Sequence, residues 1–145
     1  MRKTIVITIL LVACFALVPC LTVAQEQVHS QASVTYASYT RLYWSFGGDG
    51  TVPHGKHLVI TNATFAYFPT GAGTVGRVDF AGREADSAVF RLQVIYVEPK
   101  KTLYLSFPGG LILNEGGYAE IGAPYPGDEG TIFVSVNGHL VDKLK

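Results

Sequence analysis

Cysteine is missing from most of this chain. The sequence of 145 residues contains two cysteines, Cys14 and Cys20, and both lie within its first two dozen residues. Beyond residue 24 no side chain can form a disulfide or a thiolate metal site. A domain without such cross-links must be held by its apolar core, and a chain of this length is long enough for one core and too short for two large domains.

An excess of charge is missing as well. The chain has 11 Lys and Arg against 11 Asp and Glu, and charged residues make up only 15% of it. A protein that binds the phosphate backbone needs a basic excess, so nucleic acid is excluded as a partner. Long helices have little room, because 16 glycines and 7 prolines interrupt the sequence at short intervals.

The amino-terminal segment has the pattern of a secretory signal peptide. Arg2 and Lys3 precede an apolar run from Ile5 to Leu21, and residues 22–24 are small enough for a cleavage site before Gln25. The alternatives are a retained membrane anchor and a lipid on Cys14, which ends a lipobox-like run. We predict that residues 1–24 are cleaved and that the protein is secreted or periplasmic. We further predict that 25–33 is a flexible leader and 34–145 a single domain.

Short segments rich in Val, Ile, Thr, Tyr and Phe alternate with turn residues over the rest of the chain, which predicts β-strands. The predicted strands are Val34–Phe46, His57–Phe68, Val75–Phe80, Ser87–Val97, Thr102–Phe107, Gly110–Leu113, Tyr118–Ile121 and Thr131–Val141. In the fourth of these, the alternation is assigned with Phe90, Leu92 and Val94 on the core side. Pro108 to Gly110 is predicted as a turn between two strands.

About eight short strands with frequent turns predict an all-β fold, an antiparallel β-sandwich. The strand pattern is compatible with both a jelly roll and an immunoglobulin-like order, and the Cys…Trp…Cys pattern of immunoglobulin domains is absent. We favour the jelly roll.

Two phrases of the chain resemble uncharacterised bacterial secreted β-sandwich proteins. The first runs from Val52 to Ile60 and reads VPHGKHLVI, and the second runs from Val134 to Val141 and reads VSVNGHLV. Those proteins open a core strand with a phrase of the form VPxGKxLVI and close with a similar last strand. The resemblance implies a secreted β-sandwich and implies no activity.

A histidine pair is the candidate metal site. His54 and His57 form an H-x-x-H pair in the loop that enters a strand, and His29, His139 and Asp49 are the candidates for further ligands. Zinc needs three or four protein ligands, and the spacing of the histidines fixes no third ligand. We therefore favour solvated loop histidines and predict no cofactor, with a metal-dependent site around His54 and His57 as an alternative.

Two loop motifs are better explained as turns. Residues 71–76 fit G-x-G-x-x-G, but a dinucleotide site needs a helix after the last glycine, and Arg77–Phe80 alternates like a strand. Asp49, and Asp128 with Glu129, lie in glycine-rich turns where calcium could bind, but no EF-hand pattern surrounds them. Turn formation is the simpler explanation of these carboxylates.

The sequence offers little support for catalysis. It has no G-x-S-x-G elbow, and no cysteine remains beyond the predicted signal peptide. A glycosidase needs two facing carboxylates, whereas Glu98, Glu115 and Glu120 each adjoin turn residues, where charged side chains are usually solvated. We predict that the protein is not an enzyme.

Aromatic residues are dense for a small domain. Tyr39, Tyr43 and Trp44 are the candidate ligand-binding residues, because exposed rings can stack on sugars or bury in protein interfaces. Strand parity instead puts Trp44 with Leu42 in the core, which we favour. The leading hypothesis is an exported, non-enzymatic interaction or assembly module, with a homo-oligomer, a glycan or another protein as partners left open. The alternative is a carbohydrate-binding or carbohydrate-cleaving protein.

Overall fold

The computed structural model describes residues 25–35, 38–71, 75–85, 89–123 and 130–143, and the predicted signal peptide lies outside them. Two four-stranded antiparallel sheets pack against each other, which confirms the predicted antiparallel β-sandwich. The described strands are β1 (Glu26–Thr35), β2 (Tyr39–Arg41), β3 (Lys56–Pro69), β4 (Gly76–Arg83), β5 (Val89–Val97), β6 (Thr102–Leu113), β7 (Tyr118–Gly122) and β8 (Gly130–Asp142). Among the described residues, no helix is long and apolar enough to cross a membrane.

The strand order is nested. The first sheet has the order β1-β8-β3-β6 and the second has the order β2-β7-β4-β5. Thus β1 pairs with β8, β2 with β7, β3 with β6 and β4 with β5, as when one long hairpin is rolled up. This nesting favours the jelly-roll order, which stays a prediction.

The core lies between the sheets, and the long strands β3 and β8 bury alternate side chains in it. These two strands supply nine of the buried core residues: Leu58, Ile60, Ala63, Phe65 and Tyr67 from β3, and Ile132, Val134, Val136 and Leu140 from β8. The parity of β3 changes after Ile60 because the strand has a bulge there, where the register shifts before Asn62.

The prediction that residues 25–33 form a flexible leader was wrong. Residues Glu26–Thr35 form β1, which pairs with β8 over its whole length from Leu140 to Thr131. Val28 and Val34 of this strand are buried in the core. The composition of the segment, rich in Gln, Ser and His, gives little strand propensity of its own, so the pairing with β8 decides its structure.

The single strand predicted for Val34–Phe46 is divided in the structure. β1 ends at Thr35, and Tyr39–Arg41 pairs with β7 in the second sheet. The chain therefore passes from one sheet to the other within this segment. It then returns to the edge of β1, where Trp44 forms an isolated antiparallel bridge with Ser30.

The turn predicted at Pro108–Gly110 was also wrong, because these residues lie within β6. Ile60 of β3 pairs with Leu111 and Asn62 pairs with Ser106, so four residues of β6 stand opposite one of β3. Gly110 has a φ of 67°, which a glycine adopts without strain, and the result is a bulge inside one long strand.

The prediction that Val94 of β5 points into the core was wrong. Ile95 and Val97 are buried, whereas Val94 is exposed. Val94 therefore lies on the outer side of the second sheet.

Candidate functional site

The histidines of the candidate metal site lie in different surroundings. His54 lies in the loop before β3, where its Nδ1 pairs with the carboxylate of Glu115, and its side chain is almost fully exposed. His57 lies in β3, and its Nδ1 is buried without a hydrogen-bond partner. His29 and His139 lie in β1 and β8. No group of three or more His, Cys, Asp or Glu residues within the described ranges could hold a metal ion.

Asp49 acts as a turn-forming residue. Its Oδ1 accepts hydrogen bonds from the backbone N–H of Thr51 at 3.0 Å and from the Thr51 hydroxyl at 2.6 Å. These two bonds hold the pKa of Asp49 below its usual value. The carboxylate is thus used to close its own loop. Asp128 and Glu129, the other calcium candidates, lie outside the described residues.

The three carboxylates considered for glycoside cleavage each have a different partner. Glu120 lies on β7 and accepts a hydrogen bond from Arg83 Nε at 2.6 Å. Glu98 pairs with Lys101 in the β5–β6 turn, and Glu115 pairs with His54. Their partners therefore tie them to separate local structures, two turns and one sheet surface.

Glu115 connects the loop before β3 to the turn between β6 and β7. Besides pairing with His54, it accepts a hydrogen bond from the Gly55 backbone N–H at 3.2 Å, and its Oε2 lies 4.0 Å from Lys143 Nζ. The Gly55 hydrogen bond, followed by that from His54, lowers the pKa of Glu115 below its ordinary value of 4.5. The ionised form therefore stabilises this junction.

Acid should weaken this junction. Because the folded-state pKa of Glu115 is lowered, its contribution is complete above pH 4.5 and is lost as the pH falls through the folded-state pKa. Glu115→Gln is expected to lower the melting temperature at neutral pH, with a difference from wild type that shrinks below pH 4.5. Thermal unfolding monitored by circular dichroism across pH checks this, with Glu98→Gln as a control for losing one surface carboxylate. A difference that stays constant down to the most acidic pH would contradict it.

Gly76, the last glycine of the G-x-G-x-x-G motif, is the first residue of β4. The dinucleotide fingerprint requires a helix at this point, whose N-terminal N–H groups would meet the pyrophosphate. The motif is therefore part of a strand connection, with residues 72–74 outside the described part.

The candidate aromatic residues are divided between core and surface. Trp44 is 4% exposed, which confirms its predicted core position, and it stacks on Phe46 with ring centroids 6.4 Å apart. Tyr39 and Tyr43 are exposed. A ledge that includes Trp44 is therefore not formed, and a ligand-binding role for the two tyrosines stays a prediction.

The outer side of the first sheet has an unusual composition. Among its described outward-pointing residues there is no Asp, Glu, Lys or Arg. We call this surface the uncharged face. It consists of Gln27, His29, Gln31, Ser33 and Thr35 of β1; Thr131, Phe133, Ser135, Asn137, His139 and Val141 of β8; His57, Val59, Asn62, Thr64, Ala66 and Phe68 of β3; and Thr102, Tyr104, Ser106 and Ile112 of β6.

The strand register arranges these residues in rows across the sheet. One row is Ser33, Phe133, Ala66 and Thr102, the next is Gln31, Ser135, Thr64 and Tyr104, and a third is His29, Asn137, Asn62 and Ser106. In the third row Asn137 Nδ2 donates to Asn62 Oδ1 at 2.8 Å. These rows consist mainly of small and polar residues, with Phe133 in the first row and Tyr104 in the second.

Three aromatic rings protrude from the uncharged face. Tyr104 is 76% exposed on the edge strand β6, and Phe133 and Phe68 are half-exposed on β8 and β3. The two phenylalanine rings meet edge to face, with centroids 5.6 Å apart. Exposed rings of this size on three strands are surfaces on which a ligand can gain contact area.

A groove of about 440 Å³ lies on this face beside Phe133. Its lining comes from three neighbouring strands: Gln31, Ala32 and Ser33 of β1, Thr64 and Ala66 of β3, and Phe133, Val134 and Ser135 of β8. Because Ser33 and Ala66 are small, the surface is low on both sides of the Phe133 ring. The lining offers hydroxyl and amide groups and no carboxylate.

The outer side of the second sheet differs in charge. Arg77 Nε lies 3.1 Å from Asp79 Oδ1, and Arg83 pairs with Glu120. The guanidinium of Arg41 lies 3.8 Å from the centroid of the Tyr118 ring. Charged side chains are therefore concentrated on the outer side of the second sheet, whereas the described outer residues of the first sheet include none.

No protein-family model matches the chain, and no curated protein matches it either. Among solved structures it is similar to one described as "Bacillus endospore appendages form a novel family of disulfide-linked pili". The TM-score is 0.37 at 11% sequence identity, covering 85% of this chain and 96% of that one. A likeness this distant supports no inference about what this chain does.

Sequence reasoning missed the uncharged face, although the sequence contains a signal for it. Residues 27–40, 57–76, 102–114 and 130–141 have no charged side chain. These four stretches cover the strands of the first sheet apart from Glu26, Lys56 and Asp142 at strand ends. The stretches are visible in the sequence, but only the pairing shows that they lie side by side.

Proposed function

We propose that the chain is an exported, non-enzymatic interaction module that binds its partner through the uncharged face. The observation that carries this proposal is the lack of charge across the described outward residues of four adjacent strands. Depletion of charged residues together with exposed aromatic rings is the composition typical of the core of an interface. Export is supported by the signal-peptide pattern of residues 1–24.

Binding without cleavage is supported by the residues that line the groove. Its lining residues include hydroxyl, amide, apolar and aromatic groups, and none of the residues around the groove is an acid, a base or a thiol. General acid–base hydrolysis of a glycoside requires two carboxyl groups flanking the bond. The arrangement is therefore suited to holding a ligand.

A charge placed in the middle of the face should abolish binding. Ser135 lies in the central strand β8 between Gln31 and Thr64, so Ser135→Lys would place an ammonium group where a partner must exclude water. We expect at least about a tenfold loss of binding to envelope fragments of the producing cells, or of self-association, corresponding to about 1.4 kcal/mol or more. Co-sedimentation with envelope fragments and sedimentation velocity measure the two.

The matched control is Val94→Lys, which adds the same charge to the outer side of the second sheet, where Val94 is exposed. It should leave both measurements unchanged, and both variants should melt close to the wild type. The proposal is contradicted if the wild type binds neither envelope fragments nor polysaccharides and does not self-associate, or if the two lysine variants behave alike.

A further inference from the structure

We infer that the ligand of the uncharged face is a neutral polysaccharide chain, stacked on Tyr104 and Phe133 and hydrogen-bonded by the polar residues between them. This inference rests on the proposed function and names its partner.

The charge of the surface selects against ionic ligands. An acidic polysaccharide, a lipid headgroup or a charged peptide gains affinity from opposite charges, and the described residues of this face include no Asp, Glu, Lys or Arg to supply one. A neutral ligand loses nothing by this absence. Charge complementarity therefore favours an uncharged ligand.

The polar groups require a ligand with many hydrogen-bonding groups of its own. Thr64 and Ser135 lie side by side between the two rings, and the Asn62–Asn137 pair follows in the next row. A purely apolar ligand would bury these hydroxyl and amide groups without partners, which costs free energy for each of them. A polyhydroxylated chain can satisfy them.

The rings require flat apolar patches on the same ligand. Sugar rings have C–H groups on their faces and hydroxyl groups at their edges, so one residue of a polysaccharide can stack on an aromatic ring while its edges bond to neighbours. Phe133 and Tyr104 are two residues apart along the strands and two strands apart across the sheet. With about 6.8 Å per two residues and about 4.8 Å between strands, their backbones are separated by roughly 12 Å. Each ring can thus stack on a different sugar of one chain.

A second copy of this protein fits the face less well. Homodimer interfaces are more apolar than ordinary surface. Polar residues outnumber apolar ones here, and Phe68, Ala66 and Phe133 are gathered at one end of the described surface. An open groove lined by the Phe133 ring, with the exposed Tyr104 ring on the edge strand nearby, is better matched to an extended, hydrated chain than to a flat protein surface.

The test uses protein produced from the full chain, in affinity electrophoresis and pull-down with cellulose, chitin, mannan and starch as neutral polysaccharides and alginate as an acidic one. We expect retention by at least one neutral polysaccharide, no comparable retention by alginate, and no loss of binding in 0.5 M salt, because screening weakens only charge-dependent contacts.

Tyrosine variants locate the binding surface. Tyr104→Ala should weaken binding by about tenfold or more, whereas Tyr104→Phe, which keeps the ring, should stay within about threefold of wild type. Tyr96→Ala is the matched control, since Tyr96 is 64% exposed on the outer side of the second sheet, and it should bind like the wild type. Both tyrosines are exposed, so their loss should not unfold the domain.

Three results would overturn the inference: no retention by any neutral polysaccharide, preference for alginate, or equal effects of Tyr104→Ala and Tyr96→Ala. If no polysaccharide retains the protein but Ser135→Lys still abolishes envelope binding or self-association, the inferred ligand class is wrong and the proposed interaction function stands. If Ser135→Lys has no effect in any assay, the proposed function fails as well.

Discussion

Trp44→Ala is expected to reduce the free energy of unfolding by about 3–5 kcal/mol, since this is the usual effect of truncating a buried large aromatic side chain to alanine. Trp44 is 4% exposed, stacks on Phe46 and anchors the returning chain to β1 through its bridge to Ser30. Its indole Nε1 has no hydrogen-bond partner, so the loss comes from packing. In a domain of about 120 residues the melting temperature should fall by roughly 12–20 °C.

Denaturant unfolding followed by far-ultraviolet circular dichroism measures this change, since Trp44 is the one tryptophan in the sequence. Tyr43→Ala is the neighbouring control: Tyr43 is exposed, so its loss should change stability by no more than about 0.5 kcal/mol. In the wild type, the fluorescence of Trp44 should be blue-shifted and poorly quenched by acrylamide. Equal stabilities of the two variants would show that Trp44 is not a core residue.

Gly76→Ala is expected to reduce the free energy of unfolding by about 1–3 kcal/mol, as overpacking a tight core does. A Cβ atom at Gly76 would lie 2.7 Å from Cγ of Tyr67. The Tyr67 ring is fully buried, and it also lies against Gly130 of β8. With glycines on two strands fitted around it, the ring cannot move away from an added methyl group.

The control for this prediction also concerns a glycine beside a tyrosine ring. A Cβ at Gly122 would overlap the ring of Tyr39, but Tyr39 is exposed and can rotate into solvent, so Gly122→Ala should be nearly neutral. Melting temperatures of both variants test the contrast. The double variant Gly76→Ala with Tyr67→Leu should be less destabilised than the sum of its single changes, because both act on one contact. Additive effects would contradict the packing explanation.

The two central strands of the first sheet, β3 and β8, were predictable because buried apolar side chains alternate in them with outward-pointing ones. Phe65 and Val136 lie in strands that the sequence predicts with boundaries close to those observed. β1 was missed for the opposite reason: its outward residues are Gln, His and Ser, and only pairing with a distant strand orders them. Local propensity carries no information about such pairing.

The remaining errors have local physical causes. Pro108 and two glycines indicate a turn in isolation, but a bulge uses the same residues. In β5, apolar residues stand at both parities near Val94, so the periodicity alone could not select the buried side. The uncharged face lay beyond sequence reasoning because it is assembled from four strands that are neighbours only in space.

The position of β8 has a consequence for how the protein folds. This last strand lies in the middle of the first sheet, between β1 and β3, and Glu26 near one end of the described chain pairs with Leu140 near the other. The first sheet cannot be completed before β8 has been synthesised, so its folding should be slow, as it is for proteins dominated by non-local contacts. Until β8 is available, β1 and β3 lack the strand that joins them, and the segment before β8 stays in the unfolded state in which a polypeptide can be threaded through a membrane.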